Sequence, residues 1–236
     1  MKKRRKSNFG VLVALIFILA TGIGVGSYFL LVSGMSETSG STPFIELYAT
    51  EDYGEETDMM ENGAASPQLT DEYVMVIGDS ITVGAKKELA SRIENLSVDA
   101  EVGRGMGTGY GILKRRIDAG MLAEGDIVVI SLANNIHNGS LDNAQDVIDD
   151  LPEGVRLVFV TGHGLSNMKP LNELIRTFPD DYEFITVADW DEAVTGQSGL
   201  LASDGIHVAG NKGNVLYAEL VLEAIEEALA KPAKTS

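Results

Sequence analysis

Tyr73-Val74-Met75-Val76-Ile77-Gly78-Asp79-Ser80-Ile81 sets four apolar residues directly before a glycine, a carboxylate and a hydroxyl. A short apolar run that stops at turn-forming residues predicts a fully buried strand, with Ser80 at its exit. The pattern recurs downstream of this stretch. Apolar runs at 97–102 (the weakest), 127–132, 157–161 and 184–188 predict four more strands. Amphipathic stretches at 85–94, 111–119, 141–150, 170–178 and 213–230 predict helices between and after them. Strand alternating with helix implies an α/β domain with a mainly parallel five-stranded sheet, covered on both faces. Ligands of such open sheets bind beyond the carboxyl ends of the strands. The polar clusters all fall there: Asp79-Ser80, Gly103-Arg104, Asn134-Asn135, His163 and Asp189-Trp190.

The 236 residues carry a formal net charge of −17, which excludes a generic nucleic-acid binder because phosphate recognition needs a basic face. The chain has no cysteine, so disulfides, thiolate metal sites and cysteine nucleophiles are all excluded. Residues 1–8 contain the basic cluster Lys2-Lys3-Arg4-Arg5-Lys6, and residues 9–33 are uncharged and mostly apolar. At about 1.5 Å rise per residue such a helix crosses a hydrocarbon core of roughly 30 Å. A cleaved export signal has an apolar core of only about 7–15 residues, so a transmembrane anchor is expected. The basic cluster should then stay cytoplasmic, which puts the remainder of a single-pass protein outside the cell membrane. Residues 34–70 are rich in Ser, Thr, Gly, Glu and Asp without a sustained apolar period and read as a disordered acidic linker. Residues 71–231 form the expected folded domain, with 232–236 as a tail.

Chemistry enters with the pairing of Ser80 and the later Asp204-Gly205-Ile206-His207. An alcohol near pH 7 is a poor nucleophile and needs a base, for which His207 is the best placed of three histidines. Asp204, three residues earlier, suits the part of orienting the imidazole and stabilising its charged form; Asp189 is a second candidate acid. A tetrahedral intermediate also needs donors for its oxyanion. The backbone N–H of Ser80 at a helix start, the N–H of Gly103 and the side-chain amide of Asn135 come from three separate loops. Taken singly, each residue has a plainer account: Ser80 as a helix cap, Asp204-Gly205 as a turn, Asn135 as a loop residue.

In order, Gly78-Asp79-Ser80, Gly103, Asn135 and Asp204-x-x-His207 resemble the four sequence blocks of SGNH (GDSL-type) hydrolases, from about residue 73 to residue 229. That resemblance implies a flavodoxin-like three-layer α/β/α sandwich, no metal or other cofactor, and acyl-ester chemistry through a serine acyl-enzyme. Val102-Gly103-Arg104 and the late Trp190 are similar to the extracellular SGNH domain of peptidoglycan O-acetyltransferases. There the domain usually follows a multi-span acyltransferase module, so a transferase of the present kind would need a separate multi-span partner. The resemblance makes acetylated cell-wall glycan or another acyl ester the expected substrate. Asp79, Arg104, Asn134, His163 and Trp190 are the further residues expected to bind it.

Two departures stand out. The block usually read Leu-Gly-Thr-Asn-Gly is here Leu132-Ala133-Asn134-Asn135-Ile136, and Thr161-Gly162-His163-Gly164 places an unusual histidine beside the expected site. The glycines at 103, 105, 107 and 109 lack the ending of a phosphate-binding loop and read as a mobile close-approach loop. A lipase or thioesterase, or a catalytically silent glycan-binding module of the same fold, are the alternatives the residues leave open.

Overall fold

The structure is a computed structural model that describes residues 71–236. The basic segment 1–8, the expected anchor 9–33 and the expected linker 34–70 lie outside the described residues. Five strands, β1 (Val74–Gly78), β2 (Leu96–Ala100), β3 (Ile127–Ser131), β4 (Arg156–Val160) and β5 (Ile185–Ala188), alternate with six helices. These are α1 (Ser80–Ala90), α2 (Met106–Asp118), α3 (Ser140–Asp150), α4 (Lys169–Asp181), α5 (Trp190–Val194) and α6 (Gly210–Leu229). The sheet order is β2-β1-β3-β4-β5, and every pairing is parallel. This is the flavodoxin-like order, whose topological switch point lies between β1 and β3.

Side-chain alternation along the strands builds two cores. Val74 and Val76 of β1, with Ile127 and Val129 of β3 and Val158 and Val160 of β4, pack under α1, α5 and α6. Met75 and Ile77, with Val128, Ile130, Leu157 and Phe159, pack on the other face under α2, α3 and α4. The three central runs are continuously apolar because each strand is buried on both faces. β2 sits at the sheet edge with all five residues half-buried, and its weak apolar signal has that cause.

Several element boundaries differ from those expected. α1 starts at Ser80 rather than at residue 85, because the Asp79 carboxylate accepts the N–H of Ile81 and fixes the first turn. α2 starts at Met106, so Gly107 and Gly109 lie in a helix and not in the expected loop. A β-carbon at Gly109 would overlap the Leu132 side chain, so its absence lets α2 lie close on the sheet. Helices α5 and the first turn of α6 were not anticipated, and β2 ends at Ala100, two residues early. Within the tail 232–236, Lys234 pairs with the domain: Gly154 N–H donates to its carbonyl at 2.9 Å, and its own N–H donates to the Val155 carbonyl at 3.0 Å. Among the described residues no helix is long and apolar enough to cross a membrane.

Candidate active site

The candidate catalytic residues gather at the switch point between β1 and β3. Ser80 is the first residue of α1, and the first N–H groups of a helix have no partner within it. Its backbone N–H is therefore available to an incoming anion, with the helix dipole adding positive potential. Beneath this turn, Tyr217 of α6 donates its hydroxyl to Ser131 Oγ at 2.7 Å and meets Thr82 Oγ1 at 3.0 Å. That fully buried cluster ties α1 to β3 and α6. Its phenol is pushed well above the ordinary range, chiefly by burial.

Asp204 and His207 lie on a tight loop closed by an antiparallel bridge between Leu201 and Val208. Ala202 N–H donates to the His207 carbonyl at 2.7 Å, and Gly205 turns the chain at φ +69°, a left-handed conformation that favours glycine. Asp204 Oδ1 accepts the N–H groups of Ile206 at 2.9 Å and His207 at 3.0 Å. The other oxygen, Oδ2, is left for His207 Nδ1 at 2.8 Å, and His207 Nε2 reaches Ser80 Oγ at 3.1 Å. A residue at each end of the domain thus joins one hydrogen-bonded chain. The imidazole bond and the two backbone N–H groups hold the Asp204 carboxyl down at about 2. Both side chains remain about half exposed, so water reaches this rim.

Asp79 is fully buried, and burial pushes its carboxyl up to about 6, against the opposing effect of three donors. Those donors are the N–H groups of Ile81 and Asn134 and the Asn135 amide, with His207 adding a favourable charge. Asn135 Nδ2 donates to Asp79 Oδ2 at 3.3 Å, which fixes the amide plane and leaves its second N–H for another acceptor. Gly103 sits in the turn after β2, anchored by the bond from Glu101 N–H to the Gly78 carbonyl at 3.2 Å. Its glycine is required by φ +78° rather than by crowding, since a β-carbon there would meet nothing within 4 Å.

Four of the five residues expected to bind substrate do other work. Trp190 is fully buried and packs edge-on against Tyr217 with ring centroids 5.4 Å apart, so it belongs to the core. Arg104 turns back onto β2, donating to the Asp99 carbonyl at 2.6 Å and pairing with the Asp99 carboxylate at 2.9 Å. Asp79 caps α1, and Asn134 donates its amide to the His163 carbonyl at 3.0 Å, bridging two rim loops. His163 borders an open cleft, where its Nδ1 meets Asp191 Oδ1 at 2.7 Å. Asp189 is not the acid of the chain: it caps α5 and is held by Arg176 at 2.6 and 2.8 Å and by Thr161 at 2.8 Å.

Sequence reasoning missed Tyr217, Arg176 and Asp191. Tyr217 lies on the apolar face of α6 and Arg176 on the polar face of α4, so neither carried a signal of its partners. Among the described residues no group of three or more His, Cys, Asp or Glu side chains is placed to hold a metal ion.

No protein-family model and no curated protein matches the chain. Solved structures do. The C-terminal catalytic domain of peptidoglycan O-acetyltransferase A from Streptococcus pneumoniae, solved with a methylsulfonyl adduct, superposes with a TM-score of 0.65 at 22% identity, covering 70% of this chain and 98% of that one. The described residues have the SGNH-hydrolase fold. A member of the lipolytic G-D-S-L family from Veillonella parvula matches this fold with a TM-score of 0.54 at 15% identity, covering 64% of this chain and 97% of that one. The esterase EstA from Pseudoalteromonas, solved inhibited by monoethylphosphonate, matches with a TM-score of 0.51 at 13% identity, covering 68% and 100%. In this fold Ser80, Asp79, Asn135 and His207 meet at the switch point, so residues far apart in sequence share one rim.

Proposed function

We propose that this chain is a serine acyl-ester enzyme acting on acetylated cell-wall glycan outside the cytoplasm. The observation that carries the reading is the continuous hydrogen-bonded chain from Ser80 Oγ through His207 to Asp204, at 3.1 and 2.8 Å. In this reading Ser80 Oγ attacks the acyl carbonyl while His207 Nε2 takes its proton. Asp204 holds the imidazole with Nδ1–H toward itself and stabilises the imidazolium. The N–H groups of Ser80, Gly103 and Asn135 receive the oxyanion. Collapse expels the alcohol, which leaves with the proton from His207 and strands the acyl group on Ser80. Water, or a second sugar hydroxyl, then gives its proton to His207 and attacks the acyl-enzyme, releasing acid or a new ester and restoring Ser80.

The half-exposed His207 and Asp204 favour hydrolysis by the chain alone, because water has direct access to the acyl-enzyme. Transfer to a sugar needs that water displaced, and a transferase would also need a separate multi-span partner to deliver acetyl groups. The likeness to an O-acetyltransferase domain and the sequence of residues 1–33, basic then apolar, support an anchored enzyme that faces the wall.

Incubating the full-length chain with an activated acetyl ester tests the reading. Acetate release should be abolished to within background by Ser80→Ala. Equal release by the Ser80→Ala variant would remove Ser80 from the mechanism, and no release by wild type would leave a glycan-binding module of the same fold.

A further inference from the structure

Beside the triad loop lies a cleft of about 380 Å³, within the roughly 300–1,000 Å³ range of small-molecule sites. It opens between the segment after β4 and the start of α5, and its lining includes His163, Leu165, Lys169, Asn172, Arg176 and Asp191. We infer that this cleft is a sugar-binding subsite, in which His163 Nε2 accepts a hydrogen bond from a glycan hydroxyl.

Three observations lead there. First, the cleft is mechanically joined to the catalytic loop. Gly164 approaches Gly205 and Ile206 so closely that a β-carbon would stand 2.8 Å from the Gly205 carbonyl and 2.5 Å from Ile206 Cγ1. The Asn134 amide also donates to the His163 carbonyl, so a ligand here lies one loop away from Ser80's oxyanion donors.

Second, the histidine is pre-set as an acceptor. Asp191 Oδ2 accepts Arg176 Nη2 at 3.0 Å, and its backbone N–H donates to Thr161 Oγ1 at 3.0 Å, so the carboxylate is fixed before it meets the imidazole. A carboxylate only accepts, which puts the hydrogen of a neutral ring on Nδ1 and makes Nε2 the acceptor. The ring is 22% exposed, and among the described residues no hydrogen bond to Nε2 is formed. Third, the lining mixes fixed polar groups with an exposed aliphatic face. Leu165 is 52% exposed at the lip, and the Lys169 side chain is 75% exposed. A long acyl chain would call for continuous apolar walls; a sugar presents hydroxyls to the polar side and C–H faces to Leu165.

The inference rests on the proposed activity only for which sugar carries the ester, and binding tests it separately. The probe is a β-1,4-linked tetrasaccharide of N-acetylglucosamine, titrated into the full-length Ser80→Ala protein with the His163 ring followed by NMR. Saturable movement of the His163 ring signals is expected. His163→Ala should weaken binding about three- to tenfold, the value of one net hydrogen bond, and His163→Gln should restore part of it. Failure of the tetrasaccharide to move the ring overturns the subsite, as does its displacement by a long-chain acyl ester. A loss of sugar binding in His163→Ala accompanied by a lowered thermal-unfolding midpoint, with no rescue by His163→Gln, would make His163 a structural brace and also overturn it. Wild type that binds the sugar yet cleaves no ester refutes the proposed activity while leaving the subsite standing.

Discussion

Replacing Asp204 by Asn removes one charge and keeps nearly the same shape, so its effect isolates orientation. Asp204 Oδ1 serves two backbone N–H groups, while Oδ2 serves His207 Nδ1. An asparagine has a single oxygen, which satisfies two donors if it stays with the backbone. The amide nitrogen then faces His207 Nδ1 as a donor and forces the ring to accept there. The ring hydrogen moves to Nε2, facing Ser80 Oγ, where a proton-bearing nitrogen cannot serve as base. The serine-protease precedent for this tautomer error is about 10⁴ in turnover, or ~5 kcal/mol of transition-state stabilisation. Because Asp204 and His207 are about half exposed, the fold itself should scarcely notice. Steady-state hydrolysis of an activated acetyl ester by the full-length Asp204→Asn variant, alongside its thermal unfolding, checks both parts. A rate within tenfold of wild type, with unfolding unchanged, would refute the assigned role of Asp204.

Two further outcomes follow from the buried groups beneath the site. Tyr217→Phe leaves the Thr82 and Ser131 hydroxyls without their shared partner in a buried setting, and should lower stability by about 1–3 kcal/mol in urea unfolding; an unchanged midpoint would contradict the network. Asp79, raised by burial to about 6 from 3.8, binds its proton more firmly folded than unfolded. Its contribution is therefore fully present below about pH 4 and is lost as pH rises through about 6, amounting to up to ~3 kcal/mol. Carboxyl NMR should place the Asp79 midpoint near 6, and a midpoint below 4.5 would contradict the burial argument.

The sheet was legible because β1, β3 and β4 are buried on both faces and write that burial as unbroken apolar runs. The edge strand β2 is only half-buried, so its sequence reads weakly and its end was misplaced by two residues. Helix starts were harder. Gly107 and Gly109 lower helix propensity, yet Gly109 is present because α2 packs tightly against Leu132, a tertiary reason that no local pattern reveals. The Ser80, His207 and Asp204 positions were legible from residue type and spacing, since each sits beyond a predicted strand or before a predicted helix. The surrounding roles were not. Trp190 and Arg104 stand next to rim residues in sequence, but one turns into the core between the sheet and α6 and the other folds onto the β2 backbone. Side-chain direction a few residues past a strand end depends on the packing of distant elements. Arg176 and Lys234 were invisible for the same reason: each looks like a solvent-facing cation and each closes a contact across the fold.

The central claim is that Ser80 is a nucleophile activated by His207, and covalent capture addresses it without any assumption about substrate. The full-length chain treated with a serine-directed phosphonate should take up one equivalent, located on Ser80 by peptide mass spectrometry, with labelling slowed at least a hundredfold in His207→Ala. Modification elsewhere, or labelling of Ser80 at the same rate without His207, would contradict the account.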